Sequence, residues 1–436
     1  MPGKKLSLAQ IWFLAIFTAT VGLTGTRAAA QQEKVLHSFG NGKDGQAPYA
    51  GLTRDAAGNL YGVTYFGGLG KCASEAGAGC GTAFELSPNV DGGWTEKLLH
   101  NFDNNGKDGY YPAASLILDS SGNLYGTTAY GGTGVCSNAA PLTGCGTVFE
   151  LSPKTGGGWG EKVLYSFVGG ASDGETPSSS LIFDAVGNLY GTTGGCTGDA
   201  FSDCGTVFEL SPHKSGSWSE KVLHEFSSTG SDGYAPYGKL LFDAAGNLYG
   251  GTNWGGAYTG GVAFELSPDK SGSWTENILY NFYWGKGTNG GGPAGLIFDA
   301  AGNLYGASTK WGQVFELTRA SVGSWTSTTL ATFDVFLRGY NPNPGLLFDD
   351  SGNLYGTAQA GGDGTEKVCE ISGCGTVFEL TPGSSGWTLS TLHSFGDGSD
   401  GQAPYAGLIR DAAGNFYGTT VAGGTHGAGT VFGFRP

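Results

Sequence analysis

Short apolar runs alternate with glycine-rich polar breaks along nearly the whole of this 436-residue chain, and the runs come in sets of four. The first run of a set ends in Asp, as in Gly295-Leu296-Ile297-Phe298-Asp299. A tight turn, Ala300-Ala301-Gly302-Asn303, leads to the second, Leu304-Tyr305-Gly306-Ala307. Past a Gly-rich loop comes a third, seen in another set as Gly146-Thr147-Val148-Phe149-Glu150-Leu151-Ser152-Pro153. A Gly-rich turn then leads to the fourth, Trp159-Gly160-Glu161-Lys162-Val163-Leu164-Tyr165-Ser166-Phe167. Runs this short, rich in β-branched and aromatic residues and bounded by Gly, Pro, Asn and Asp, are written as strands and turns. No sustained helical period occurs after residue 30.

The turn between the first two runs carries a fixed phrase, Asp-x-x-Gly-Asn-(Leu/Phe)-Tyr-Gly. It begins at Asp55, Asp119, Asp184, Asp243, Asp299, Asp349 and Asp411. Seven copies of a four-strand unit predict an all-β chain folded as a seven-bladed β-propeller, one domain over residues 31–436. Within each blade the strands are a to d, antiparallel, with a nearest the axis and falling near residues 51, 115, 180, 239, 295, 345 and 407. Radial stacking buries both faces of every sheet. The ends of the repeat region fit one another. Residues 33–39 read as a d strand with no blade before it, and residues 429–434 as a c strand with no d strand after it. The N-terminal strand is therefore expected to complete blade seven and remove a free edge.

Composition adds a compartment. Lys4 and Lys5, an apolar run over residues 11–23 and Ala28-Ala29-Ala30 have the layout of a secretory signal peptide over residues 1–30. The run is too short for a transmembrane helix. No lipid anchor or C-terminal sorting signal is expected, and the mature protein is expected to be secreted or periplasmic and monomeric. The chain carries a net charge of −15, and its first 30 residues hold three cations and no acid, so the remainder is more acidic still. That excludes nucleic acid as a natural partner, since phosphate binding needs a basic footprint, and it disfavours anionic membrane surfaces. The eight cysteines form four local pairs, Cys72 with Cys80, Cys136 with Cys145, Cys196 with Cys204 and Cys369 with Cys374, each in the loop between strands b and c. Even number, local pairing and an export signal point to disulfides. Two-cysteine sites on separate blades cannot build a tetrahedral zinc centre, and no metal or cofactor is expected.

The turns sort into two faces. The a–b and c–d turns barely change from unit to unit. The b–c loops and the d-to-a crossings, on the opposite face, vary in length, hold the cysteines and display aromatics, so binding is expected there. Asp-Gly recurs in five crossings, at Asp44, Asp108, Asp173, Asp232 and Asp400. Turned inward these acids would ring the central mouth, with Asp108, Asp173 and Asp232 as ligand-binding candidates. The plainer reading is turn chemistry, each carboxylate bonding its own backbone, and it is preferred. Aromatics on the same face include Tyr65, Phe66, Tyr110 and Tyr111. Exposed aromatics suit sugar rings or a protein partner; the other reading is that they cover blade ends. Blades four to six depart most from the pattern, adding Trp254, Tyr258, Trp284, Lys286, Lys310, Trp311, Arg338 and Tyr340, and these complete the candidate site.

Other motifs are weaker. Gly170-Ala171-Ser172-Asp173-Gly174 spells a hydrolase elbow but sits in a crossing, without the strand and helix an elbow needs. His37, His100, His224 and His393 fall at equivalent rim positions in d strands and do not converge on one metal. Glu85, Glu150 and Glu209 face Lys97, Lys162 and Lys221 across neighbouring strands, a pattern explained by cross-strand ion pairs.

The recurring Gly-Asn-Leu-Tyr-Gly-Thr-Thr, Gly-Thr-Val-Phe-Glu-Leu and Leu-(His/Tyr)-Ser-Phe elements resemble those of the secreted bacterial choice-of-anchor tandem-repeat GloVer-containing proteins. The resemblance spans residues 33–436. It implies an exported repeat protein and brings no established catalytic residues. Three functional readings follow. The first is a non-catalytic binding or interaction module for a glycan or an extracellular protein, and it is preferred. The second is a carbohydrate-active hydrolase or lyase with acidic residues in the central mouth, and the third a purely structural envelope protein.

Overall fold

The computed structural model describes residues 32–74, 77–136, 143–170, 172–195, 204–227, 231–285, 291–309, 312–320, 323–333, 340–363, 369, 373–397 and 399–436. The expected signal peptide lies outside them. The described chain is a seven-bladed β-propeller of antiparallel sheets, without an α-helix among the described residues. Blade one shows the plan. Strands Thr53–Arg54, Leu60–Thr64, Thr82–Pro88 and Trp94–Asn101 lie side by side as a, b, c and d. The ring closes as the sequence predicts. Gln32–Ser38 runs antiparallel to Thr430–Arg435, from Gln32 opposite Arg435 to Ser38 opposite Thr430, and supplies the fourth strand of blade seven.

Neighbouring blades are joined by phenylalanine. The d-strand Phe of one blade meets the c-strand Phe of the next at all seven junctions, with ring centroids between 4.7 Å, for Phe333 and Phe378, and 5.2 Å, for Phe167 and Phe208. The junction from blade seven to blade one, Phe39 with Phe84 at 5.0 Å, is like the others. These rings are at most 3 % exposed. Burying one is worth about 1.5–3 kcal/mol, and each tilted pair adds roughly 0.5–1.5 kcal/mol. The Tyr-Gly pair of strand b belongs to this joint. A Cβ at Gly62 would lie 2.5 Å from the Phe84 ring, so the strand must be bare there.

The repeated turn is a carboxylate cage. Asp55 accepts the Asn59 backbone N–H and side-chain amide, each at 2.8 Å, and the Tyr61 hydroxyl at 3.1 Å. Asp119, Asp184, Asp243, Asp299, Asp349 and Asp411 take the same partners.

Strand a departs from a plain strand. In blade three it is split into Glu175–Pro177 and Ile182–Phe183, both paired with Leu189–Gly195, and the residues between bow toward the axis. The break follows an x-Pro step that every blade contains. The residue before proline has positive φ at Ala47, Tyr111, Thr176, Ala235, Gly292, Asn341 and Ala403. Six of these are not glycine, in a conformation that costs L residues free energy. The surroundings compensate. The N–H groups of Tyr111, Thr176 and Ala403 donate to the carbonyls of Cys80, Cys145 and Cys374 in the preceding blade. The disulfides Cys72–Cys80, Cys136–Cys145 and Cys369–Cys374 form as expected. Cys204 is also disulfide-bonded, and its expected partner Cys196 lies outside the described residues.

Candidate functional site

The bowed segments of the seven inner strands enclose a central channel of about 1020 Å³. Above it, on the face of the b–c loops and crossings, lies a pocket of about 400 Å³ bordered by blades three to seven. Ser178, Tyr237, Pro344 and Tyr405 line both, so pocket and channel are continuous. The two kinds of variable loop thus meet at one mouth.

The mouth has two unlike sides. Across blades seven, one and two stands a wall of tyrosine. Tyr49 meets Tyr405 at 5.0 Å and Tyr65 at 5.3 Å, and Tyr65 stacks on Tyr111 at 4.9 Å. Burial holds the Tyr49 and Tyr65 hydroxyls above their ordinary pKa, so they stay neutral donors. Tyr110 and Tyr111 are only 1 % and 3 % exposed and act chiefly as blade-end packing. The opposite side is polar. Asn253, Thr309, Asn341 and Gln359 line it beside Trp254. Asn343 is committed to the frame, donating its side-chain amide to the Thr357 hydroxyl and the Pro404 carbonyl.

Blade four carries an aromatic platform onto this pocket. The Trp254 ring lies 4.7 Å from that of Trp284, and Tyr258 stacks on Tyr283 at 3.8 Å. Trp284, Tyr258 and Tyr283 are 46 %, 45 % and 41 % exposed. The structure therefore brings together three candidates from the sequence, Trp254, Tyr258 and Trp284, and adds Tyr283. The last of these is readable as a d strand running one residue past its usual Phe. Lys286, Lys310, Trp311 and Arg338 lie outside the described residues, and for Tyr340 only the backbone, paired with Ala360, is described.

The crossing aspartates go elsewhere. Asp108 lies 3.1 Å from His100 Nε2 and accepts the Asp103 N–H at 3.1 Å. Asp173 accepts the Tyr165 hydroxyl and the Val168 N–H. Asp232 lies 3.5 Å from His224 and accepts the Ser227 N–H at 3.2 Å. Asp44 and Asp400 pair in the same way with His37 and His393. Asp108, Asp173 and Asp232 thus face outermost strands at the rim and do not form an acidic ring at the mouth. Each carboxylate caps its own crossing loop, and the following Gly settles the direction. A Cβ at Gly109 would fall 1.9 Å from the Thr128 hydroxyl, which closes the inward side.

A third group joins each rim pair from the next blade. Glu33, Glu96, Glu161, Glu220 and Glu276 are partly buried in d strands beside these aspartates. Burial, and in each case a neighbouring Asp, pushes Glu96 and Glu161 up to about 7 and Glu220 to about 8. At one junction the donors of His224, Asp232 and Glu276 lie within 4.8 Å of one another, a set that can share a proton or hold a divalent cation. Cys136, Cys145 and Glu175 are equally close, but those cysteines are oxidised. The d-strand lysines also differ from expectation. Lys97 lies 3.6 Å from Glu85, as anticipated. Lys162 and Lys221 instead donate to the Gly216 and Gly272 carbonyls of the next blade's c–d turn. Residues opposite in register reach their partners only if no better acceptor lies beyond the blade edge.

The Gloeobacter/Verrucomicrobia repeat matches residues 25–237, 134–366 and 306–436. No curated protein matches the chain. Among solved structures, a virginiamycin B lyase from Staphylococcus aureus superposes with a TM-score of 0.50 at 14% identity, covering 93% of this chain and 99% of that one. A streptogramin B lyase gives 0.51 at 12% identity, with 93% and 97% covered. At such identities the likeness is one of fold.

Proposed function

This chain belongs to the Gloeobacter/Verrucomicrobia repeat family, and on that premise we propose that it is an exported, non-catalytic binding propeller that holds a saccharide at the mouth of its central channel. The observation that carries the reading is Trp254, which lines the mouth pocket and lies against the exposed Trp284, while the same blade presents a second exposed pair, Tyr258 and Tyr283. Rings of this kind stack on the apolar faces of sugars, while Asn253, Asn341 and Gln359 across the pocket match hydroxyl groups. Disulfides on the loop face support an oxidising compartment. Binding is favoured over turnover because no carboxylate or imidazole is among the described residues lining either cavity. Glycosidic cleavage ordinarily requires two carboxyl groups flanking the bond.

The test is a polysaccharide panel on the purified protein, recording affinity together with released reducing ends and unsaturated products. Binding without product is expected. Trp254→Ala should weaken it about tenfold, the equivalent of ~1.4 kcal/mol. Val90→Ala, in the c–d turn on the opposite face, should leave it unchanged. Product release, or a Trp254→Ala protein that binds like the parent, would refute the reading.

A further inference from the structure

One residue of the channel wall breaks its sevenfold pattern. Four residues before each turn Asp, the inner strand places a side chain on the channel. In four blades that residue is glycine and in two it is serine, Ser115 and Ser180; in blade four it is Lys239. The small residues have a packing reason. At Gly345 a Cβ would lie 2.9 Å from Gly407, and at Gly295 one would lie 2.7 Å from Gly345, so inner strands nearly touch there. A lysine at the same position has no such role.

We propose that Lys239 binds a singly charged anionic group, so that the saccharide entering the channel is an acidic one, carrying a carboxylate or a sulfate ester. This deepens the reading above and rests on it. The only other charged side chain along the described wall is Arg54, also a cation, at the a–b turn end. Among the described residues, none holds the Lys239 ammonium by an ion pair or hydrogen bond. The neighbouring Tyr237 supplies no anion, because burial pushes its hydroxyl up to about 12. Lys239 is wetted by the channel yet surrounded by protein, and that partial desolvation disfavours its charged form. A bound anion would reverse the penalty. The position also fits. Lys239 follows Tyr237, which lines both mouth and channel, by two residues, across the bend at Gly238. A sugar seated against Trp254 and Tyr237 could place the charged group of its neighbour at the ammonium. One cation suits one negative charge, whereas phosphate dianions are usually met by several donors.

The experiment compares three oligosaccharides of matched length, neutral, uronate-bearing and sulfated, on the parent protein, Lys239→Met and Lys239→Arg. At least one acidic ligand should bind the parent tenfold or more tightly than the neutral one, and the gap should shrink with added salt. Which acidic ligand it is identifies the anion. Lys239→Met should abolish the gap and leave neutral binding intact, and Lys239→Arg should keep most of it. Equal affinity for all three ligands, or a gap that survives in Lys239→Met, overturns this inference and leaves the saccharide reading standing. A second readout is independent of oligosaccharide binding. The Lys239 ammonium, followed by NMR titration, should rise in pKa with free glucuronate or a sugar sulfate and not with glucose. No rise with either anion overturns the proposal even if no oligosaccharide binds.

Discussion

A single aspartate organises each inner turn, and its worth can be measured. Asp243 accepts the Ala245 and Asn247 N–H groups at 2.9 Å, the Asn247 amide at 2.8 Å and the Tyr249 hydroxyl at 3.1 Å. Burial opposes its charge, but these four donors together hold its pKa below the ordinary 3.8. Asp243→Ala takes the acceptor from the Asn247 amide and leaves the Tyr249 hydroxyl to Glu265 alone, at a cost of about 1–3 kcal/mol. Urea melts at neutral pH should show that loss; a variant as stable as the parent would refute the cage as a stabilising device. The phrase Asp-x-x-Gly-Asn-x-Tyr was legible because every partner lies within six residues. The crossing Asp-Gly was legible only as a turn. Its histidine lies seven or eight residues away on another strand, and side-chain direction depends on a threonine beneath the glycine. The x-Pro step of every crossing was in plain view at regular spacing. Its positive φ was not, because pre-proline residues ordinarily favour extended backbone.

Between elements, the rim clusters couple blades to pH. Glu96, Glu161 and Glu220 each face the crossing aspartate of the preceding blade, Asp44, Asp108 and Asp173, with His100 also near Glu161 and Tyr165 near Glu220. Burial first, and then these aspartates, favour the protonated acid, so the folded pKa lies above the unfolded value of 4.5. Below pH 4.5 both states are protonated and the favourable contribution is complete. As pH rises through about 7 to 8, unfolding releases protons and that contribution disappears. The turn aspartates act oppositely, losing their contribution as pH falls below 3.8. The melting temperature should therefore peak between roughly pH 3.8 and 4.5 and fall by several degrees by about pH 8. The triple variant Glu96→Gln, Glu161→Gln, Glu220→Gln should flatten the alkaline side and leave the acid side as it was. An unchanged alkaline slope would show that these glutamates ionise freely in the fold. These glutamates did not stand out in the sequence, because each meets an aspartate of the preceding blade 47 to 53 residues earlier in the chain.

At the scale of the ring, stability should depend on one seam that no covalent bond spans. All seven blade junctions are crossed by continuous chain, and the seam lies inside blade seven, where Gln32–Ser38 pairs with Thr430–Arg435. The same segment delivers Phe39, fully buried, to Phe84, and Lys34 to the Gly92 carbonyl at 2.7 Å. This closure was readable because the leftover fragments at the two ends of the repeat complete one another, whatever the details of any loop. The contents of the mouth were less so. Trp254 and Tyr258 stood out as breaks in the repeat, but Lys239 did not, because its meaning appears only when seven strands face one axis. Removing residues 32–39 strips strand d from blade seven, uncovers the edge of Thr430–Arg435 and exposes Phe84. An unpaired edge of that kind recruits other chains. The truncated protein should melt many degrees lower and self-associate, as judged by calorimetry and light scattering. A synthetic peptide of residues 32–40 added in trans should restore both properties, because the seam is made of hydrogen bonds and packing alone. Val35→Pro in that peptide removes an N–H from the strand paired with Phe432 and should abolish rescue. A truncated protein with the parent's melting temperature would mean that six complete blades and a three-stranded seventh hold the ring unaided.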